Sequence, residues 1–394
     1  MTSAKRWLLP DGVEEILPVE AGKLESLRRD ILDLYRSWGY EFVITPLIEF
    51  LDSLLVGTSK DLDIHTFKIV DQLSGRMMGI RADITPQAAR IDAHCMNREG
   101  PVRLCYADNV LHTKPRGLMT SRVPIRIGAE LYGHAGVECD IELICLMQET
   151  LNTAAIDGCQ IVLGHVGIFR SLLAEAGLDA ATEQQLFQAV QRKAFDEIDV
   201  ILSESVANAK LKQQLQQLTR LSGDQTVLEQ AKSVFADSAQ TVLAELDELV
   251  AIADGVSCRL PGTQIGFDLC ELRGYEYHTG IVFAAYTSGY GRAVAKGGRY
   301  NDIGEVFGRA RPASGFDSDL KTLARLSSRE YVAPAAILAP ADNDPALLDA
   351  IAALRSKGEI VIQQLGVDSE SREELNCDRR LEKQGESWVV ITID

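Results

Sequence analysis

The sequence predicts an α+β protein in which an antiparallel sheet is flanked by helices, carries a helical insertion and precedes a small α/β appendage. Strand-like apolar segments lie on both sides of residues 125–260, a span without proline. Within this span, residues 180–256 are rich in Ala, Gln, Leu and Glu, with apolar residues at helical spacing. Pro334 then marks a linker. We therefore place a core at residues 1–330 and a separate C-terminal domain at residues 335–394.

The composition excludes several classes of protein. The chain has 394 residues, 46% hydrophobic and 25% charged, as in ordinary globular proteins of more than one domain. No segment approaches the roughly 18 apolar residues of a membrane span, and the N-terminus lacks a signal-peptide core, so we expect a cytoplasmic protein without membrane contact. The net charge of -17 would repel a polyanion such as a nucleic acid.

The cysteines and histidines do not indicate a metal site. The eight cysteines form no Cys-x-x-Cys pair, and the six histidines form no His-Glu-x-x-His motif. Reduced and mostly buried thiols fit this pattern better than disulfides or zinc ligands. We therefore expect no metal and no cofactor.

The N-terminal region predicts a helix and an edge strand. Residues 19–38 place Leu24, Leu27 and Ile31 at helical spacing, and Gly39 suits the end of the helix. Residues 40–44 then resemble a strand that ends before Pro46, and proline favours a strand end or a sheet edge. Because such an edge is often covered by a second subunit, we expect the chain to form a dimer.

Asp83 lies on a predicted strand-to-helix turn. Residues 65–71 and 76–81 resemble a hairpin, and the sequence Asp83-Ile84-Thr85-Pro86 follows. Thr85 at the cap and proline at the first helical position favour a helix to about residue 94. Asp83 either presents its carboxylate to a ligand or only caps the helix.

Two further strands are predicted at residues 102–111 and 124–132, and the second carries charged residues in the predicted interior of the sheet. Alternation in the second strand places Arg126, Gly128 and Glu130 on one face. Burial of an arginine and a glutamate is costly unless each has a partner. Arg126 and Glu130 therefore either pair with each other or serve a ligand.

The segment 271–286 contains a dense group of polar side chains between apolar runs. Arg273 can bind a carboxylate or phosphate through two donors, and Tyr277 and His278 add donors and acceptors. A Gly-Gly-Arg-Tyr sequence follows at residues 297–300. The alternative interpretation is an ordinary strand pair joined by a polar loop.

The remaining chain predicts strands, one short helix and an acidic tail. Strand patterns occur at residues 264–272, 281–286 and 292–296, and residues 315–326 resemble a strand that leads into a helix. In the tail, the pattern predicts a strand, a helix and a strand at residues 335–338, 345–356 and 359–363. The tail carries 12 Asp and Glu against 6 Lys and Arg, so it is an acidic appendage.

Taken in order, these motifs resemble the catalytic core of class II aminoacyl-tRNA synthetases, specifically histidyl-tRNA synthetase, over about residues 8–326. Residues 9–12 with 40–49 resemble the family's first motif, residues 104–133 the second and residues 315–326 the third. Residues 273–283 resemble its histidine-binding signature, and residues 297–300 resemble the segment after that signature. The resemblance implies that the first motif builds a dimer.

The resemblance also implies a pocket for L-histidine. It assigns Asp83 to the α-amino group, Glu130 to the imidazole and Arg273 to the carboxylate, and Thr85 matches the family's threonine. Two positions differ: Arg126 replaces a glutamine that contacts the amino acid, and His278 replaces a tyrosine that reaches the imidazole. The histidine-binding residues that we predict are Asp83, Thr85, Arg126, Glu130, Arg273, Tyr277 and His278.

The positions that hold ATP in the synthetase depart further. His112 and Thr322 stand where the family has arginines, Lys114 stands where it has a glutamate, and Asp319 replaces a glycine. Histidine is shorter than arginine and mostly neutral near pH 7. Loss of one well-placed charged donor costs about 3 to 4 kcal/mol, or roughly 10² to 10³ in rate. We therefore expect no adenylation and no catalytic residues.

A synthetase core of this kind resembles the regulatory subunit family of ATP phosphoribosyltransferase. The resemblance implies a non-catalytic subunit that is needed for the first step of histidine biosynthesis. It also implies a hetero-octamer with the short-form catalytic subunit and feedback inhibition by L-histidine. The tail is shorter than an anticodon-binding domain and acidic, so we expect no tRNA binding.

Two other interpretations stay open at the level of sequence. One is an amino-acid-activating ligase that holds ATP through Lys114, Arg116 or Arg299. The other is a binding module that has acquired a different partner, because a fold alone does not determine function.

Overall fold

The computed structural model describes residues 7–56, 60–115, 117, 120–272, 274–275, 277–366 and 375–393. Arg116 and Arg273, which the sequence analysis singled out, lie outside the described residues. The chain divides into two compact units, Met1–Arg329 and Glu330–Asp394.

The first unit contains twelve α-helices among its described residues. They are α1 (Pro18–Ser37), α2 (Leu51–Leu54), α3 (Lys60–His65), α4 (Thr85–Arg90), α5 (Val137–Thr153), α6 (Val166–Ala176), α7 (Ala180–Gln191), α8 (Phe195–Ser205), α9 (Ala209–Leu218), α10 (Thr226–Val234), α11 (Gln240–Arg259) and α12 (Leu320–Leu326). A π-helical segment, Ile91–Met96, continues α4, and Glu305–Phe307 forms a short 3-10 helix.

The strands of the first unit form two sheets. They are β1 (Glu41–Phe42), β2 (Ile48–Phe50), β3 (Phe67–Val70), β4 (Met77–Ile80), β5 (Val102–Asn109), β6 (Ile125–Tyr132), β7 (Gln160–His165), β8 (Ser222–Gly223), β9 (Gln264–Asp268), β10 (Ile281–Tyr286), β11 (Ala295–Arg299) and β12 (Ala313–Asp319). The larger sheet has the order β1-β5-β6-β12-β11-β10-β7-β9-β8, and the smaller one the order β2-β4-β3.

The larger sheet is antiparallel except where β1 pairs with β5 and β7 pairs with β9. Its inner strands β6, β12, β11 and β10 are neighbours although β6 and β10 lie far apart in sequence, and they form the floor of the site described below. Helices α1, α5 and α6 bury apolar residues in the same core, including Ile31, Leu143 and Phe169. The predicted α+β architecture is therefore confirmed.

The predicted helical insertion corresponds to helices α7 to α11. The helices α7 and α9 begin at side-chain caps, because Asp179 and Asn208 each accept bonds from two backbone N–H groups of the first turn. Their apolar faces bury Leu186 and Leu215 in the same cluster as residues of the sheet. Hydrophobic burial thus anchors the insertion to the core.

Three local predictions differ from the structure. The edge strand predicted at residues 40–44 shortens to the two residues of β1, which pairs with β5. Thr85 does not cap α4, because its hydroxyl donates instead to Glu130 at 2.8 Å. The strand predicted at residues 292–296 lies three residues later as β11, where two glycines allow close strand contact: a Cβ at Gly297 would lie 2.2 Å from the carbonyl oxygen of Gly315.

The second unit is a small α/β domain. It contains β13 (Ala336–Ala339), α13 (Pro345–Ser356), β14 (Val361–Gln363), β15 (Cys377–Gln384) and β16 (Ser387–Thr392). Its sheet has the order β14-β13-β15-β16. The pattern predicted the first three elements but missed the hairpin of β15 and β16, because charged residues interrupt the apolar alternation of β15.

Within the described parts of both units, the helices are too short or too polar to cross a membrane.

Candidate ligand pocket

A pocket of about 280 Å³ opens above the centre of the larger sheet. Six of the seven residues predicted to bind histidine line it, and the seventh, Arg273, lies outside the described residues. These six are Asp83, Thr85, Arg126, Glu130, Tyr277 and His278. The fold thus brings together residues from the strand-to-helix turn, from β6 and from the polar segment before β10.

Glu130 is buried at the base of the pocket and accepts three hydroxyl hydrogen bonds. Thr85 donates to Oε1 at 2.8 Å, Tyr106 donates to Oε1 at 3.0 Å, and Tyr300 donates to Oε2. Burial raises the pKa of Glu130 to about 8, although the three hydroxyl donors act in the opposite direction. The carboxyl group is therefore largely neutral near pH 7 and can both donate and accept a hydrogen bond.

A glycine provides the space for the Glu130 side chain. Gly315 of β12 pairs directly with Glu130 of β6. A Cβ at Gly315 would lie 1.6 Å from Glu130 Oε2 and 2.8 Å from the Tyr300 hydroxyl. Any side chain at this position would displace the carboxyl group or its tyrosine donor.

Arg126 pairs with a residue that the sequence analysis did not assign to the pocket. Its Nη1 lies 3.1 Å from Asp317 Oδ2, and both side chains are 14% exposed. Burial acts to lower the pKa of Arg126, but Asp317, Asp83 and Asp319 raise it above its ordinary value. The guanidinium therefore stays charged, and its ion pair is with Asp317, not with Glu130.

Asp83 precedes Ile84, the N-cap residue of α4, and is therefore not the capping residue itself. Its Oδ1 accepts from the backbone N–H of Ile84 at 2.7 Å and of Thr85 at 3.4 Å. The same residue also lines the pocket. Its carboxylate can thus accept from a ligand while it orders the first turn of α4.

The aromatic residues form one wall of the pocket. The rings of Tyr277 and Tyr300 stack with centroids 4.9 Å apart. The Tyr277 hydroxyl is buried, and within the described structure it has no hydrogen-bond partner. An unpaired buried hydroxyl is costly, so this group offers a hydrogen bond to a ligand. Gly274, with φ +69°, lies against His278, where a Cβ would be 2.5 Å from Nδ1.

The residues that the resemblance places at ATP-binding positions are engaged within the protein. His112 is buried, and its Nε2 lies 3.0 Å from the Ala82 carbonyl oxygen. The Thr322 hydroxyl donates to Asp319 Oδ2 at 3.0 Å, and Asp319 caps α12 by accepting from the backbone N–H of Lys321 at 3.2 Å. These side chains stabilise local structure.

Arg299 is buried behind the pocket. Its Nη2 donates to the Gly136 carbonyl oxygen at 2.9 Å and forms an ion pair with Asp140. Arg299 is therefore a poor candidate for holding ATP in the ligase alternative, because its charge is already compensated by Asp140. Among the described residues, no cluster of three or more His, Cys, Asp or Glu could hold a metal ion.

Comparison with known proteins places this chain in a family. Residues 12–323 match the histidyl-tRNA synthetase family, and residues 334–391 match the C-terminal domain of the ATP phosphoribosyltransferase subunit HisZ. The chain is 53% identical to an ATP phosphoribosyltransferase regulatory subunit of Thioalkalivibrio sulfidiphilus and 54% identical to one of Ectopseudomonas mendocina. In both comparisons the match covers 100% of this chain and 100% of the relative. The chain belongs to the ATP phosphoribosyltransferase regulatory subunit family.

Solved structures support the fold of this family member. A protein from Bacillus halodurans, described as an ATP phosphoribosyltransferase regulatory subunit/histidyl-tRNA synthetase, superposes with a TM-score of 0.81 at 24% identity, covering 93% of this chain and 95% of that one. Histidyl-tRNA synthetase from Nostoc sp. gives a TM-score of 0.78 at 18% identity, covering 98% and 97%. The predicted class II synthetase-like fold is therefore confirmed.

The sequence did not predict two further pocket-lining residues of this regulatory subunit family member, Asp317 and Tyr300, or Tyr106, which bonds Glu130 beneath the pocket. Asp317 and Tyr300 belong to the segments 315–326 and 297–300, but their contacts depend on strands β6, β11 and β12 becoming neighbours. Tyr106 gave a weaker signal. It lies on β5 opposite Gly128 of β6, which is two residues from Glu130, so the pairing of β5 with β6 alone would place it near Glu130.

Proposed function

We propose that the chain is a non-catalytic regulatory subunit required for ATP phosphoribosyltransferase activity, at the first step of histidine biosynthesis, and that it mediates feedback inhibition by L-histidine. The observation that carries this proposal is full-length identity above 50% to relatives that bear the regulatory subunit name. The match of residues 334–391 to the HisZ C-terminal domain supports it further.

A non-catalytic role is supported by the electrostatics of the residues that the resemblance assigns to ATP binding. His112 offers no permanent charge and is bonded to the Ala82 carbonyl group, and Thr322 is bonded to Asp319. Asp319 also adds a carboxylate where a triphosphate would bring negative charge. Because phosphoryl chemistry depends on preorganised cations, this arrangement disfavours adenylation.

The pocket supports L-histidine as the ligand. Asp83 can accept from the α-amino group, and the carboxyl group of Glu130 can bond the imidazole. The stacked rings of Tyr277 and Tyr300 supply an apolar wall, and the Tyr277 hydroxyl supplies a free donor. Thr85, Arg126, His278 and Arg273 complete the proposed set of histidine-binding residues.

The proposed partners are the short-form catalytic subunit, in a hetero-octamer, and a second copy of this chain. Self-association is supported by exposed apolar residues near the β1 edge, among them Phe42 at 44% and Ile44 at 76% exposure. The net charge of -17 and the acidic tail support the absence of tRNA binding.

Two measurements on the purified full-length chain test the proposal against the ligase alternative. The first is L-histidine-dependent exchange of pyrophosphate into ATP, and we expect no exchange above the protein-free background. The second is size-exclusion chromatography with the short-form catalytic subunit, and we expect one co-eluting complex. Robust exchange, or separate elution of the two proteins, would contradict the proposal.

A further inference from the structure

The Arg126–Asp317 ion pair lies in the wall of the pocket, where a ligand can reach both residues. The two charged groups are 3.1 Å apart, both side chains line the pocket, and each keeps 14% of its surface exposed. The pair crosses from β6 to β12 on a diagonal, because the direct partner of Asp317 on β6 is Gly128. An ion pair at the surface of a cavity can exchange one partner without unfolding of the sheet.

Arg126 is surrounded by negative charge. Besides Asp317, both Asp83 and Asp319 favour its charged form. A ligand carboxylate that approaches Arg126 must therefore compete with a carboxylate of the protein, and Asp317 is the one in contact with it. Asp83, which lines the same pocket, favours a positive group on the ligand at the same time.

We propose that the carboxylate of the bound amino acid replaces Asp317 on Arg126, so that Asp317 acts as a built-in competitor that sets the affinity and the selectivity of the pocket. This inference rests on the proposed binding of L-histidine in this pocket. It assigns the ligand carboxylate to Arg126 as a specific contact. Asp317 does not contact the ligand in this scheme and acts only by competing for Arg126.

The exchange leaves neither Arg126 nor Asp317 as an isolated buried charge. Arg126 remains paired throughout, which avoids the large penalty of an isolated buried charge. Asp317 faces the pocket and its water, so its displaced carboxylate can be hydrated there. The neighbouring opposite charges of Asp83 and Arg126 then match the ammonium and carboxylate groups of a zwitterionic amino acid.

The spacing along β6 is compatible with this binding mode. Arg126 and Glu130 lie on the same face of β6, four residues apart, so their Cα atoms are separated by about 13 Å. A long arginine side chain, the amino acid and the glutamate side chain together span that separation. The imidazole can then reach Glu130 while the head group lies between Asp83 and Arg126.

The test compares two ligands that differ in the carboxylate. L-Histidine and histamine are titrated calorimetrically into the full-length wild-type chain and into the Asp317→Asn and Arg126→Gln variants. We expect Asp317→Asn to bind L-histidine about fivefold more tightly, the factor that corresponds to a partly exposed ion pair. Histamine binding should not tighten. We expect Arg126→Gln to weaken L-histidine roughly tenfold or more and to leave histamine within about twofold.

The outcomes of these titrations distinguish failure of the carboxylate exchange on Arg126 from failure of histidine binding in the pocket. If the wild-type chain binds L-histidine but Asp317→Asn leaves the ratio of L-histidine to histamine affinity unchanged, the exchange is wrong and the histidine pocket stands. If the wild-type chain binds neither ligand, the exchange and the histidine pocket are both wrong, and the regulatory role is judged separately by the rate of the complex. Asp317→Asn removes a charge without changing side-chain size, so it gives an answer even if Arg126→Gln fails to fold.

Discussion

Tyr300 donates a hydrogen bond to the carboxyl group of Glu130 at the base of the pocket. Glu130 lies on β6 and Tyr300 directly follows β11, so this bond spans the intervening strand β12, where Gly315 leaves the space for it. Buried polar groups that are mutually bonded in this way are rigid and specify one arrangement. The site is therefore largely formed before a ligand binds.

The raised pKa of Glu130 predicts a pH-dependent stability. Burial raises this pKa from 4.5 to about 8, so the folded state holds the proton more tightly than the unfolded state. The stabilisation of the folded state by the proton on Glu130 is complete below about pH 4.5 and is lost as the pH rises through about 8. We expect the free energy of unfolding of the wild type to fall relative to Glu130→Gln by on the order of 3 kcal/mol over that range.

Urea denaturation at intervals between pH 4.5 and 8 checks this prediction. Glu138→Gln is the matched control, because Glu138 is exposed and its pKa is lowered by its hydrogen bond to His134. That variant should track the wild type across the range. Parallel pH profiles for the wild type and Glu130→Gln would show that Glu130 is ionised in the folded protein at neutral pH.

A methyl group at Gly315 should close the base of the pocket. The Cβ of Gly315→Ala would lie 1.6 Å from Glu130 Oε2, so the carboxyl group must move. We expect L-histidine affinity, measured by calorimetry, to fall at least about tenfold, the loss of a hydrogen bond to a buried polar group. Gly100→Ala is the control, since a Cβ there would meet no atom within 4 Å. Equal affinity in the two variants would argue against binding beside Glu130.

The buried Asp140–Arg299 pair should be important for stability. Asp140 is fully buried, bonds Arg299 and accepts from the Ser314 hydroxyl at 2.6 Å. Asp140→Asn removes the closest partner of the Arg299 charge and leaves Glu248 at 3.9 Å, so we expect a loss of about 3 kcal/mol in the free energy of unfolding. The exposed Arg192–Glu197 pair provides the control, and Glu197→Gln should cost less than about 1 kcal/mol. Similar denaturation midpoints for the two variants would contradict this role.

Glu130→Ala should uncouple the regulatory response. The effect of histidine on the complex is limited by its differential affinity for two states, typically about 1 to 3 kcal/mol or 5- to 150-fold. Without the imidazole contact, we expect the concentration of L-histidine for half-inhibition to rise at least about tenfold, while the uninhibited rate is retained. Steady-state assays of the complex measure both, with Glu138→Ala as the exposed control. If L-histidine inhibits the complex with Glu130→Ala as strongly as the wild-type complex, histidine is sensed at a subunit interface instead.

The sequence predicted those features that depend on local pattern. The bounds of α13 follow from a proline at its start and apolar residues at helical spacing, and the structure has the same bounds as the prediction, Pro345–Ser356. Alternation along β6 correctly placed Arg126 and Glu130 on the same face, and both line the pocket.

The missed features depend on contacts between distant segments. The partner of Arg126 is Asp317, about half the chain away, and it becomes a neighbour only because β6 pairs with β12. The same pairing brings Gly315 to Glu130 and, through β11, Tyr300. No local pattern contains this register, so the sequence left the pairing of Arg126 open.

The rate of ATP phosphoribosyl transfer by the short-form catalytic subunit, with and without this chain, tests the regulatory role most directly. The initial rate is measured for the catalytic subunit alone, after addition of the equimolar full-length chain, and then with increasing L-histidine. We expect the chain to raise the rate at least about tenfold, and L-histidine to reverse that increase. A rate that is the same with and without the chain, at all histidine concentrations, would contradict the proposed regulatory role.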